Sequence, residues 1–367
     1  MKKFFLLILV ISFIFVFTFC NQQKMKWAGT IEEVDGVTIV KNPKLPIYTE
    51  DVFFLEEEFV IKEEGEDYYF SNLIGLAVND EERIFTVDFK AADIKVFDKN
   101  GKFIKTFGKR GQGPGEFSRP YHIFVSRQKE VVIFDIVNRR FSYFSFEGEF
   151  IKNVSTAKYN FGLSSADSAG NIIGLIPDRD PENPMYALRK FDPDLNPLMT
   201  YVTSPYPNPQ VYNPFRPRPQ WSLSVDDEII HSFPETYEIR IFNAKGKEIR
   251  RIIKEYVPMR VSQEMRDMAK KQVERLGDTM RLEIPEYYPP IRYISVDEKK
   301  RIFVHTSDLD EKGGESVYDV FDPEGKFITR INLMNWPGAW KNNKLYMIEQ
   351  NEEGFQMIKR YNVTWTY

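Results

Sequence analysis

Apolar and polar positions alternate in short runs along most of this chain, and each run ends at a small cluster of Asp, Asn, Ser, Lys or Gly. The clearest copy is Ile84-Phe-Thr-Val-Asp88, followed by Ile94-Lys-Val-Phe-Asp-Lys-Asn-Gly-Lys-Phe-Ile104. It returns as Val132-Ile-Phe-Asp135 with Phe144-Ser-Phe-Glu-Gly-Glu-Phe-Ile151. Later copies are Phe242-Asn-Ala-Lys-Gly-Lys-Glu-Ile249 and Val320-Phe-Asp-Pro-Glu-Gly-Lys-Phe-Ile328. A period of two in β-branched and aromatic residues, broken by polar turns, predicts hairpins. Strand-turn-strand units fall at 73–88, 121–135, 163–176, 221–233, 291–305 and 338–349. Their turns are polar, as in Asn79-Asp-Glu-Glu82 and Asp297-Glu-Lys-Lys300.

A third strand follows each unit, then usually a glycine turn and a fourth. Four antiparallel strands repeating every ~40 residues have the period of a propeller blade. One blade cannot bury both faces of its sheet, but a ring of blades covers each face with its neighbour. The pattern therefore predicts an all-β, six-bladed β-propeller. The ends carry a second signal. The last unit reaches a third strand at Gln356–Tyr361, and the chain stops at Tyr367 without a fourth. Glu58-Phe-Val-Ile-Lys62 has the pattern of that missing strand and is expected to close the ring. Residues 58–367 are then the propeller, and 21–57 an N-terminal segment packing on the last blade. The strand Gly36-Val-Thr-Ile-Val-Lys41 adds to that blade or packs beside it.

Two connections between blades are long. Residues 203–220 are rich in proline and aromatics, which excludes regular helix and sheet. Residues 254–290 hold a helical pattern: Val261, Met265, Met268, Ala269, Val273 and Leu276 recur at i+3 and i+4. Ser262 is placed to cap this helix and Gly277 to end it. Strand direction alternates within a blade, so loops joining fourth to first strands share a face with loops joining second to third. Both insertions are expected on that face, together with 111–117 and the charged loops 177–181 and 308–315. Ornamented loops on a rigid ring are where binding is expected. The binding candidates are Pro205 with the aromatics Tyr206, Tyr212, Phe215, Trp221, Tyr287 and Tyr288, and Arg216 and Arg218 as partners for an anion or carboxylate.

Lys2 and Lys3 precede an apolar run, Phe4–Phe19, that ends at Cys20 and turns polar. This is the pattern of an export signal over 1–20. The run is short for a bilayer span, which needs ~20 apolar residues. Cys20 is the only cysteine among 367 residues, so no disulfide forms within one molecule. A cysteine in this position resembles the lipidation site of bacterial lipoproteins, cut just before the cysteine, although Phe19 stands where a small residue is usual. That resemblance implies a lipid anchor at Cys20 and a body in the cell envelope, facing periplasm or exterior. Net charge is −4 and no basic block appears, which argues against nucleic acid.

Gly108-Lys-Arg-Gly-Gln-Gly-Pro-Gly-Glu-Phe-Ser-Arg-Pro120, with Val131-Val-Ile-Phe-Asp-Ile-Val-Asn-Arg-Arg140, resembles an NHL repeat. The chain is similar to six-bladed propeller lipoproteins of bacteria. Gly113, Pro114 and Gly115 make a tight turn, Glu116 and Phe117 cap and plug it, and Asp135, Asn138 and Arg139 bond across the next turn. These are structural roles.

Chemistry is sparse. His122, His231 and His305 are the only histidines. Three is the minimum for a zinc site like that of propeller lyases, but only His122 lies at a first strand. Asp308-Leu-Asp-Glu-Lys-Gly313 puts Lys312 where a calcium loop needs an oxygen. No nucleophile elbow, phosphate loop or zinc-protease helix occurs. The expectation is a non-catalytic propeller without a cofactor, binding a protein or carbohydrate at its loop-bearing face. The alternative is a metal-dependent lyase or lactonase using the central channel.

Overall fold

The computed structural model describes residues 26–367 apart from 64–67, 179–183, 209, 234, 277–279, 310–315 and 336. Three strands lead: β1 (Thr30–Val34), β2 (Val37–Asn42) and β3 (Phe53–Ile61). Blade one is β4 (Leu73–Val78), β5 (Ile84–Asp88), β6 (Asp93–Phe97) and β7 (Phe103–Phe107). Blade two is β8 (Pro120–Val125), β9 (Glu130–Asp135), β10 (Arg140–Ser145) and β11 (Phe150–Ser155). Blade three is β12 (Ser164–Ala166), β13 (Ile172–Asp178), β14 (Met185–Phe191) and β15 (Pro197–Pro205). After β16 (Val211–Tyr212) comes blade four: β17 (Gln220–Leu223), β18 (Ile229–Phe233), β19 (Glu238–Phe242) and β20 (Glu248–Lys254). Then follow α1 (Gln263–Leu276) and β21 (Arg281–Leu282). Blade five is β22 (Ile291–Val296), β23 (Ile302–Leu309), β24 (Ser316–Phe321) and β25 (Phe327–Leu333). Blade six is β26 (Pro337–Lys341), β27 (Lys344–Gln350) and β28 (Gln356–Trp365), with β3 as its fourth strand. The architecture is a six-bladed β-propeller with one helix among the described residues.

Local chemistry fixes the turns. At first-to-second turns a short polar side chain accepts the main-chain N–H groups two and four residues on. Asn79 takes Glu81 and Arg83 at 3.1 and 2.8 Å, and Asp297 takes Lys299 and Arg301 at 3.0 and 2.8 Å. Third-to-fourth turns repeat the device with Asp98, Asp192 and Asn243. Their fourth residue has positive φ, which favours glycine. Gly325 at +89° shows why: a Cβ there would lie 2.7 Å from Ile252 Cγ1 of the preceding blade. Leu195 takes this position in blade three at +64° and is buried.

The core is divided among the blade interfaces. Separate apolar clusters lie between blades one and two, two and three, three and four, four and five, five and six, and six and one. Each blade covers its neighbour, as the alternation requires.

The N-terminal segment is a belt around the outer rim. β3 pairs antiparallel with β28 from Trp365↔Phe53 to Ile358↔Ile61 and closes the ring. Upstream, Ile47 and Tyr48 donate N–H groups to Phe327 O and Ile328 O on the outer edge of blade five. The sequence pattern expects the strand at 36–41 to add to the last blade or to pack beside it. Instead β2 pairs parallel with β20, and with β1 it extends blade four to six strands. Running back from β3, the chain meets the open outer edges of blades five and four, whose unpaired backbone groups need partners. Of the described part of the 21–57 segment, Ile47, Tyr48 and Val52 join the cluster between blades five and six, and Trp27 packs against it. Asn42 pins the belt. It is 3 % exposed, donates to Gly325 O at 2.9 Å, and accepts from Phe327 N at 2.7 Å and Trp27 Nε1 at 3.0 Å.

Candidate functional site

Antiparallel blades put the fourth-to-first and second-to-third connections on one face of the ring, here the loop face. The first-to-second turns lie on the other, the turn face. The two insertions are the 206–219 and 255–290 connections, so both leave on the loop face. They also join. β16 pairs parallel with β21, Val211↔Arg281 and Tyr212↔Leu282, with Arg281 N donating to Gln210 O and Glu283 N to Tyr212 O at 2.8 and 3.0 Å. The Phe215 and Tyr288 rings meet edge to face at 5.0 Å. One platform therefore spans two connections separated by the whole of blade four.

The second insertion braces itself. Ser262 Oγ accepts from Met265 N at 3.2 Å and caps α1; Gly277 lies outside the described residues. Arg266 donates to Val261 O and Pro285 O at 3.2 and 3.0 Å. Arg260 pairs with Glu286 at 2.9 Å and lies 5.4 Å from the Tyr287 ring.

The candidate residues divide accordingly. Arg216 donates to Val211 O at 2.6 Å and so ties its own loop, whereas Arg218 is exposed. Tyr206 packs on Tyr186 at 4.7 Å, and Pro205 is exposed at the end of β15. Trp221 joins the cluster between blades three and four. Tyr212, Phe215 and Tyr288 are half-buried in the platform, and Tyr287 is its exposed ring, 37 % accessible. Of the charged loops, 179–183 and 310–315 lie outside the described residues, as does Cys20.

In the 108–120 loop, Gly113 N donates to Glu116 Oε2 at 2.9 Å, with Pro114 exposed and Gly115 at φ +72°. Phe117 is fully buried between blades one and two. Asp135 accepts from Ser118, Arg119, Val137 and Asn138 N–H groups at 2.6–3.1 Å. Asn138 also reaches Gly111 O at 3.0 Å, and Arg139 bonds Ala157 O.

Sequence reasoning missed the turn face. A cavity of about 210 Å³ opens there among Val78, Leu223, Val225, Val296 and Trp340, with Glu298 and Lys341 beside them. A polar crown surrounds it. Lys341 pairs with Glu298 at 3.0 Å and with Asp80, Lys300 with Asp226 at 2.9 Å, and Ser168 N donates to Asp227 at 3.0 Å. The turns of the adjacent blades six and one carry opposite signs, Lys341-Asn-Asn-Lys344 against Asn79-Asp-Glu-Glu82, which is the signal that could have revealed it.

The histidines stand apart in chemistry. His122 Nε2 contacts Ser164 O at 2.8 Å, and His305 stacks on Tyr318 at 4.9 Å. Among the described residues no three His, Cys, Asp or Glu side chains gather as a metal site. Burial pushes the pKa of His231 down to about 3 and of His305 to about 4, aided by the charges of Arg240 and Arg292. Unfolded, both titrate near ~6.5. From pH ~6.5 downwards the unfolded chain therefore binds protons that the folded chain does not, and stability falls with acid until the folded values are passed. For His305 alone the loss is roughly 3 kcal/mol. The melting temperature is expected to drop steadily from pH 7 to 4.5, and less so in His305→Gln. A flat profile would contradict this.

Comparison with known proteins places the chain among propellers. A Bacteroides fragilis protein classed as exported is 14 % identical, with a TM-score of 0.59 over 90 % of this chain and 100 % of that one. A member of the DUF4221 family from Bacteroides vulgatus is also 14 % identical, with a TM-score of 0.54 over 86 % of this chain and 99 % of that one. At such identity the likeness is one of fold. No curated protein matches the sequence. Among the described residues no helix is long and apolar enough to cross a membrane. Residues 63–258, blades one to four with their connections, match the domain of unknown function DUF4934, and the chain belongs to that family.

Proposed function

We propose that this propeller is exported, held at the cell envelope by a lipid on Cys20 with its body facing periplasm or exterior, and binds a protein or carbohydrate partner non-catalytically at its loop face. Its NHL-like loop at 108–120 is scaffold in this reading. One observation carries the binding site: two connections, a whole blade apart in sequence, are hydrogen-bonded into one platform. Connections that merely padded separate blade edges would have no need of a shared ladder. The platform presents Tyr287 and Arg218 to solvent on a base fixed by Phe215, Tyr288 and Arg216. Aromatic rings have few rotors to immobilise, so they bind at low entropic cost.

The test replaces 207–217 and 259–287 together by short Gly-Ser linkers. The shortened protein is expected to melt within a few degrees of the parent, because the six blade interfaces are untouched. Chemical cross-linking in intact cells is expected to capture a partner with the parent and not with the shortened form. Identical capture by both would overturn the assignment.

A further inference from the structure

Away from the platform, the loop face over blades one and two carries three exposed cations, Lys90, Arg110 and Arg119. They are knit together. Arg110 Nη2 donates to Lys90 O at 2.6 Å and Nη1 to Ser118 O at 3.3 Å. The Arg119 guanidinium lies 5.9 Å from the ring of Phe89, the neighbour of Lys90. Among the described residues no carboxylate pairs with any of the three. The acids beneath them are occupied: Asp88 and Asp135 are fully buried and accept main-chain N–H groups, including those of Lys90 and Arg119. On a chain of net charge −4, the three cations thus form a positive patch with no ion-pair partner among the described residues. Arg110 uses two of its five N–H donors on carbonyls, which orients the guanidinium and leaves the rest for a ligand. Tyr121, two residues beyond Arg119, is 45 % exposed.

We propose that this cradle binds the carboxylates of an acidic polysaccharide, a chain of uronic acid units. Planar guanidinium forks match carboxylates in two-point contacts, which favours Arg over Lys and a carboxylate over a diffuse anionic surface. The exposed Tyr121, two residues along the chain from Arg119, offers an apolar face to a sugar ring. A stiff pyranose chain presents ring and carboxylate together at low ordering cost, whereas a flexible acidic peptide loses more entropy on binding. The site is separate from the platform and does not depend on it.

Affinity electrophoresis of the whole protein through gels holding polygalacturonate tests the proposal, with neutral dextran, poly-glutamate and anionic lipid vesicles as comparisons. The protein is expected to be retarded by polygalacturonate and not by dextran. Poly-glutamate of equal charge and vesicles should bind at least about tenfold more weakly. Arg110→Gln with Arg119→Gln should weaken polygalacturonate binding by about tenfold or more, with the melting temperature within a few degrees. Should that pair fail to fold, Arg119→Lys and Tyr121→Ala serve instead, each expected to weaken binding several-fold although Arg119→Lys keeps the charge. The platform-deleted protein should bind unchanged, which separates this site from the platform. Equal binding of poly-glutamate or vesicles, or undiminished binding by the variants, would overturn it.

Discussion

Removal of residues 26–61 is expected to yield a protein that aggregates and shows no cooperative melting. The ten-residue strand β28 would become a bare outer edge, a template for pairing with other chains. Two interfaces lose core as well. Ile61 leaves the cluster between blades six and one, and Ile47, Tyr48 and Val52 leave that between five and six. Burial of each such side chain contributes roughly 1.5–3 kcal/mol, so the sum rivals the 5–15 kcal/mol that typically separates folded from unfolded domains. Calorimetry and gel filtration decide the matter. A monomeric variant melting within a few degrees of the parent would show that the ring closes without its belt.

Asp319→Ala should be among the most damaging single changes. Asp319 is fully buried between blades four and five, where it accepts from Tyr237 OH at 2.6 Å and pairs with Arg330 at 2.8 Å and Lys254 at 3.3 Å. Burial lowers the pKa of Lys254, and the charge of Asp319 works against that shift. Deleting the carboxylate would leave Lys254, 3 % exposed, without its counter-ion. Breaking a buried pair in this way costs about 3–5 kcal/mol. Adding Lys254→Met to Asp319→Leu removes both charges and should restore much of the loss. The denaturation midpoints of single and double variants give the answer. A double variant no more stable than Asp319→Ala would refute the counter-ion account.

What the sequence disclosed and withheld follows the range of the interactions. The six hairpin units were legible because alternation and turn chemistry act within a few residues: Asn79 and Asp297 fix their turns through neighbours four positions away. The fourth strand of blade six was legible because a gap at one end matched a spare strand at the other. The partner of β2 was not. Val37-Thr-Ile-Val40 reads as an edge strand, and only the geometry of the rim selects β20, some 210 residues on. The platform lay between. Proline, aromatics and helical spacing marked both insertions, but a two-residue ladder leaves no periodic trace. Arg216 and Arg218 read alike in sequence, yet one holds its own loop and the other meets solvent. The cradle over blades one and two leaves no separate trace in the sequence, since Arg110 and Arg119 lie inside the 108–120 loop, whose glycine-rich pattern reads as scaffold.

The belt also sets an order in time. β3 is made early, and its partner β28 holds nearly the last residues of the chain: Trp365 pairs with Phe53, 312 positions apart. At ~5–20 residues per second, the interval between their syntheses is roughly 15–60 s. Throughout it β3 has no native partner, and blades four and five lack their outer covers until the belt is laid down. Contacts of such span make closure slow even in a complete chain. Ring closure therefore waits for β28, and until that strand stands beside β3 the waiting edge is the one most in need of protection from premature pairing.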